Sequence, residues 1–202
     1  MRTVVCDGEE ITPSKIVCVG RNYVAHIEEL GNEMPEAMVL FCKPNSAVSD
    51  TLRYFGEATR FEGEICLMVR EGRFAAVGFG LDLTRADIQQ HLKEKGLPWE
   101  RAKAFDGSAV FGTFVPMDVP LTSLSLRLYR NGALVQQGGA ELMIYKPETI
   151  FREIASFMTL EDGDIVMTGT PAGVGNYARG DRFRGEILSD GRVLVASEWT
   201  VR

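Results

Sequence analysis

The chain has 202 residues, 45% hydrophobic and 25% charged, enough to bury a substantial core in one domain over 1–202. A net charge of −6 gives no electrostatic footprint for nucleic acid or an anionic membrane. The longest unbroken apolar run, Ala37 to Cys42, is too short to span a bilayer, and the first residues lack the apolar stretch of a signal peptide.

In chain order, residues 1–14 read as a short lead-in ending at Pro13. Lys15 to Val19 is an apolar strand broken by Gly20. Asn22 is placed to cap a helix from Tyr23 to Leu30, with Gly31 just past its end. On that helix His26 and Glu29 are three residues apart and share a face. They are a surface pair, or a histidine oriented by a carboxylate and used as a general base. Gly31 to Glu36 is a polar loop, and a lid that orders on substrate binding is one reading of it. Met38 to Cys42 is a second strand, and Lys43 at its end is solvated or reaches an anion.

Phe61-Glu62-Gly63-Glu64 leads into the run Ile65 to Val69, whose composition predicts a strand. On a strand, Glu62 and Glu64 project to one face, with Gly63 leaving room on the other. Such a pair is two solvated acids or two ligands of a divalent cation. Glu71-Gly72-Arg73 predicts a turn, and Ala75 to Leu83 a strand with room at Gly78 and Gly80 for close approach. Thr84 and Asp87 form a capping-box pattern for a helix from Arg85 to about Lys95, with Ile88 and Leu92 inward. Asp82, between two leucines at a strand end, is a candidate third ligand. His91 reads as structural or solvated.

Phe105 to Gly112 is small and Gly-rich. Ser123 to Tyr129 alternates as a half-buried strand, and Asn131-Gly132 predicts a hairpin returning over Ala133 to Gln137. Lys146-Pro147 starts a helix with an apolar stripe at Ile150, Phe151, Ile154, Phe157 and Met158. Ile165 to Met167 is a strand, followed by the loop Thr168 to Gly175. That loop lacks the P-loop order and reads as a backbone cradle for a small carboxylate. Asp181 to Arg202 predicts two or three strands with a turn at Asp190-Gly191. The cysteines Cys6, Cys18, Cys42 and Cys66 form no C-x-x-C pair. They read as reduced, buried small hydrophobes of a cytoplasmic protein rather than a zinc site. Short strands alternating with few helices predict an α+β fold.

Taken together, several segments resemble the fumarylacetoacetate hydrolase family, in its short branch of acylpyruvate hydrolases and oxaloacetate decarboxylases. They are Val17-Cys18-Val19-Gly20-Arg21-Asn22-Tyr23 with His26, Leu40-Phe41-Cys42-Lys43-Pro44, Glu62-Gly63-Glu64, and Leu81-Asp82-Leu83-Thr84. Pro98-Trp99, Ala102-Lys103-Ala104-Phe105 and Gly163 to Gly175 complete the set. The resemblance runs from about Lys15 to the C-terminus. It implies a mixed, β-rich roll of packed sheets with a few short helices, usually a homodimer. It implies metal ligands at Glu62, Glu64 and Asp82, a His26–Glu29 dyad, a catalytic Lys103, and substrate contacts at Arg21, Gln89 and Thr170. Lys43 matches the family in sequence and is carried as a further substrate contact. Longer members have a fourth acidic ligand where this chain has Val19, a place for water. Residues 105–110 and 138–141 depart from the family's usual form.

Three carboxylates make a hard oxygen site suited to Mg²⁺ or Mn²⁺. With a small 2-oxo acid as substrate, the resemblance implies hydrolysis of the C–C bond of a 3-acylpyruvate by a His26-activated water, through a pyruvate enolate. The same site offers oxaloacetate decarboxylation, or isomerisation or hydration of an unsaturated 2-oxo diacid. The non-enzymatic alternative is an inactive ligand-binding relative.

Overall fold

The computed structural model describes residues 1–31 and 33–202. Asn32, within the expected loop after the first helix, lies outside the described residues. The chain starts with β1 (Val4–Cys6) and β2 (Glu9–Ile11), then β3 (Lys15–Gly20), α1 (Val24–Glu29), β4 (Val39–Pro44) and β5 (Val48–Ser49). The central run is β6 (Thr59–Phe61), β7 (Gly63–Arg70), β8 (Arg73–Asp82) and β9 (Thr84–Arg85). Then come α2 (Ala86–Glu94), α3 (Glu100–Lys103), β10 (Ala109–Pro116), β11 (Leu124–Arg130) and β12 (Ala133–Gly139). The chain closes with α4 (Pro147–Ala155), β13 (Ile165–Met167), β14 (Gly175–Asn176), β15 (Arg182–Ser189) and β16 (Arg192–Thr200).

Nine strands form one mixed sheet in the order β2-β1-β10-β8-β7-β13-β3-β4, with β5 paired to β10. A four-stranded antiparallel sheet, β12-β11-β15-β16, packs across it, β11 over β7 and β15 over β8. A small third sheet joins β14, β6 and β9. The central strand β7 is covered on both faces. Its Ile65, Leu67 and Val69 enter the core between the sheets, where Leu126, Leu128, Phe183 and Ile187 meet them. Its Cys66 and Met68 face a second core of Ile16, Cys18, Phe111, Phe114 and Met167. That second core is drawn almost wholly from the large sheet itself, which therefore curls around it. A strand buried on both faces reads as a continuous apolar run. This is the expected α+β roll.

Four hairpins turn on the same two-residue device. Asp7-Gly8, Glu71-Gly72, Asn131-Gly132 and Asp190-Gly191 all have positive φ at both positions, which matches the twist of paired strands. The first corrects the lead-in expected over residues 1–14. Those residues form a hairpin whose β1 pairs with β10. Two further elements depart from expectation. The Gly-rich segment continues into the strand β10, and α3 forms between Trp99 and Ala104.

Both expected side-chain caps are absent. Asn22 is wholly buried and instead holds Tyr145 and Thr168: its amide donates to both carbonyls, and its oxygen accepts from Tyr145 N. Thr84 donates to Glu62 Oε1 at 2.6 Å, so α2 begins after Arg85 without a side-chain cap. Ile150 and Ile154 of α4 are buried, but Phe157 lies past the helix end and is 60% exposed. Cys42 is exposed, because β4 is the sheet edge and alternates outward there. The other three cysteines are buried, and all four are free thiols. No helix among the described residues is long and apolar enough to cross a membrane.

Candidate active site

Glu62 stands just before β7, Glu64 is its second residue, and Asp82 ends the adjacent β8. The pairing Gly63↔Leu81 and Glu64↔Gly80 brings the three acids to one end of the sheet. One carboxylate oxygen of each lies within 4.8 Å of the others. Gly63 is required between the glutamates, since a Cβ there would sit 2.9 Å from the Phe79 ring. Its N–H donates to Gln136 Oε1, whose amide in turn donates to Thr170 Oγ1.

Two buried lysines meet this cluster. Lys103 Nζ donates to Glu62 Oε2 at 2.9 Å and to Asp82 Oδ2 at 2.8 Å. Lys43 is fully buried beneath the site, 2.8 Å from Asp82 Oδ1. Its hydrogens go to the carbonyls of Lys103 and Ser108 and to Ser108 Oγ. The Asp82 contact is off the hydrogen-bond axis, and Asp82 Oδ1 is left buried without a donor.

The electrostatics follow from this crowding. Burial would strip the proton from Lys103, but Asp82 and Glu62 outweigh it and hold the pKa above the ordinary lysine value. Burial would raise Glu62, but Lys103 and His26 overcome it and the group is held below its ordinary value. Glu64 goes the other way: burial, then the charges of Asp82 and Glu62, push it well up. Three carboxylates face two ammonium groups, so the cluster carries one uncompensated negative charge with all acids ionised. An all-oxygen donor set, a donor-free buried Asp82 Oδ1 and residual negative charge fit a hard divalent cation such as Mg²⁺ or Mn²⁺.

Above the acids is a cleft lined by His26, Arg21, Gln89 and Thr170, with Phe41, Trp99, Leu30 and Lys93. His26 Nδ1 lies 3.4 Å from Glu29 Oε2, which completes the pairing expected from their spacing. With the Nδ1 hydrogen on that contact, Nε2 is left as the acceptor. Glu29 stands behind the imidazole rather than in the cleft. It is fixed from the loop after β13, where Gly173 N donates to both its oxygens at 3.0 and 3.1 Å. The same loop donates Gly169 N to Glu64 Oε2 at 2.7 Å. The expected carboxylate cradle therefore serves two of the chain's own carboxylates. Gly173 has φ +100°, and a Cβ there would fall 1.9 Å from Val135 O.

Of the residues expected from sequence, Arg21, His26, Glu62, Glu64, Asp82, Gln89, Lys103 and Thr170 line one cleft, with Glu29 and Lys43 just behind it. Sequence reasoning passed over Lys93, Phe41 and Trp99. Lys93 had a signal, standing four residues after Gln89 on one face of α2. Gln136 of β12 and Ser108, just before β10, brace the site and had none.

A profile described as fumarylacetoacetate (FAA) hydrolase C-terminal matches residues 15–198. An alignment of 203 positions is 40% identical to an oxaloacetate tautomerase of Escherichia coli, covering 90% of this chain and 91% of the relative. A mitochondrial oxaloacetate tautomerase of Bos taurus is 37% identical over 190 positions, covering 85% and 86%. The crystal structure of fumarylpyruvate hydrolase from Pseudomonas aeruginosa, in complex with Mn²⁺ and pyruvate, superposes with a TM-score of 0.89. It is 30% identical and covers 99% of this chain and 95% of that one.

Proposed function

The chain belongs to the fumarylacetoacetate hydrolase family, and from that premise we propose that it interconverts the keto and enol forms of oxaloacetate, with Mg²⁺ or Mn²⁺ held by Glu62, Glu64 and Asp82. The observation that carries this reading is the convergence of three carboxylates beside the fixed ammonium of Lys103, at the floor of a cleft with a His–Glu pair on its wall. The names of the E. coli and bovine relatives support the choice of oxaloacetate. When bound, the cation would supply Lewis-acid stabilisation of negative charge on the keto oxygen.

The chain's own residues do the rest. Arg21, Gln89 and Thr170 orient the carboxylate next to the keto group. His26, oriented by Glu29, takes a proton from C3. The pair left behind forms the C2=C3 bond, and the carbonyl pair moves onto O2. Lys103, held protonated, stands beside that developing charge. Returning the proton to O2 gives the enol, and returning it to C3 restores the ketone. Phe41, Trp99 and Leu30 limit the water that reaches the enolate.

The His26–Glu29 pair also favours a second reading, hydrolysis of a 3-acylpyruvate. There His26 takes its proton from water, whose oxygen adds to C4. The C3–C4 bond breaks with its electrons passing to C3, giving the pyruvate enolate and a carboxylic acid. Decarboxylation of oxaloacetate would reach the same enolate with no attacking water. The test is a panel of oxaloacetate and acetopyruvate, followed by enol absorbance with and without Mg²⁺ or Mn²⁺. Metal-dependent equilibration of oxaloacetate is the expected result. Turnover of neither acid with either metal would refute the enzymatic reading.

A further inference from the structure

One wall of the cleft carries a cation that this chemistry leaves unused. Phe41 and Trp99 form the wall, their ring centroids 5.8 Å apart. Lys103 Nζ lies 5.1 Å from the Phe41 centroid, and Lys93 Nζ lies 5.4 Å from the Trp99 centroid. The wall thus has an ammonium at each end. The inner one, on Lys103, is neutralised by Glu62 and Asp82. The outer one, on Lys93, is half-buried and has no ion-pair partner among the described residues.

Its surroundings are also positively charged. Among the described residues, Arg21, which lines the same cleft, has a buried Nε without an acceptor, and its Nη1 reaches only Glu33 O at 3.5 Å. Arg60 lines the groove that continues outward from Lys93 and also lacks an ion-pair partner among the described residues. Burial, then the charges of Arg21 and Lys103, holds the Lys93 pKa below the ordinary lysine value. Two cations, Arg21 and Lys93, therefore face a cleft whose only lining carboxylates among the described residues are Glu62, Glu64 and Asp82 at its floor, and Arg60 adds a third positive charge in the groove outside. In the outer groove Glu29 and Asp87 also line the wall, but Glu29 is taken up by Gly173 N and His26, and neither forms an ion pair with Lys93. A half-buried cation is stable when an anion completes it.

We infer that Lys93 receives the second carboxylate of a dicarboxylic 2-oxo acid, and so selects dianionic over monoanionic substrates. The inference rests on the proposed 2-oxo acid site and adds what its outer end recognises. A substrate anchored at the floor by its 2-oxo carboxylate end extends along the aromatic wall and meets Lys93 at its far end. A ligand with a methyl group there leaves the ammonium unpaired, as it is in the free protein. A charged hydrogen bond lost from a partly desolvated site gives discrimination of about tenfold or more.

The test uses ligands that cannot enolise, so that it does not depend on turnover. Malate and lactate are both 2-hydroxy acids and differ only in the second carboxylate. Their affinities for wild type, K93M and K93R are measured by calorimetry in saturating Mg²⁺. Methionine keeps the contact with Trp99 and removes the charge, while arginine keeps the charge. The wild type should prefer malate by about tenfold or more, K93M should lose that preference with lactate affinity unchanged, and K93R should retain most of it. A wild type that binds the two acids equally overturns the inference. So does a K93M protein whose preference is intact, or one that loses both ligands equally. Lys93 would then only support Trp99. If the malate preference holds but oxaloacetate is not equilibrated, the tautomerase reading fails and the dicarboxylate subsite stands.

Discussion

Substituting Lys43 by methionine isolates the buried charge beneath the site. Lys43 has no exposed surface, and its ammonium lies 2.8 Å from Asp82 Oδ1. Methionine fills a similar volume, so the cavity left is small and the effect is chiefly electrostatic. Removing one partner of a buried ion pair typically costs about 3–5 kcal/mol, because the other charge stays buried. Lys103 still reaches Asp82 through Oδ2 at 2.8 Å, which places the cost toward the lower end of that range. In a chain of this size each kcal/mol moves the melting temperature by about 2–4 °C, so a fall of roughly 6–12 °C is expected from a cost of about 3 kcal/mol. The substitution also leaves the three acids facing one ammonium instead of two. Divalent cations should therefore restore more stability to K43M than to wild type, since binding to the folded state alone stabilises it by mass action. The assay is thermal unfolding of both proteins in EDTA and across a MgCl₂ series. A fall under about 2 °C in EDTA would show that Asp82 does not depend on Lys43. An Mg²⁺ increment smaller than in wild type would refute the charge argument itself.

Four further outcomes follow from the geometry. Glu62→Gln should abolish metal-dependent turnover, by about 100-fold or more, while leaving the melting temperature nearly unchanged, because Lys103 keeps Asp82. Loss of fold with metal binding intact, seen by circular dichroism and calorimetry, would contradict it. His26→Ala should slow the proposed metal-dependent equilibration of oxaloacetate by about 100-fold or more, read from enol absorbance, and equilibration at the wild-type rate would exclude the dyad. Gly173→Ala should cost about 2 kcal/mol or more, since the added carbon meets Val135 O at φ +100°, and should lower activity by releasing Glu29. A stable, fully active variant would dispose of that claim. Asp164 accepts from Ser14 N, Ser14 Oγ, Lys15 N, Glu161 N and the Lys15 ammonium, and these bonds, overcoming burial, hold it below the ordinary value of 3.8. Its stabilisation is therefore full above about pH 4 and is lost as pH falls through the lower folded-state value. The melting-temperature gap between wild type and Asp164→Asn should be widest near neutrality and shrink below about pH 3.

The sequence by itself determined the elements whose physics is local. The apolar run after Glu64 forms the doubly buried β7, and X-Gly pairs with positive φ form the hairpin turns. The i,i+3 spacing of His26 and Glu29 already places them together on one helical turn. The i,i+2 spacing of Glu62 and Glu64 gives both one facing on a strand, with Gly63 between. Asp7-Gly8 carried the same turn signal as Asn131-Gly132, but β1 is only three residues long and depends on β10, more than a hundred residues away, for its pairing.

Tertiary structure decided what each polar group does. Asn22 and Thr84 have the chemistry of helix caps, yet a buried carbonyl pair and a site carboxylate compete for their hydrogen bonds and win. Cys42 sits in an apolar run but lies outward on an edge strand. Asp82 joins Glu62 and Glu64 only because the β7–β8 register sets Gly63 against Leu81, and a one-residue slip would turn its side chain to the other face. The backbone of the loop Thr168 to Gly175 holds Glu64 and Glu29, since β13 lands beside both β7 and β3. Burial then makes like charges costly and binds Lys43 and Lys103 to the acids, a balance set by contacts between residues 21 to 60 positions apart.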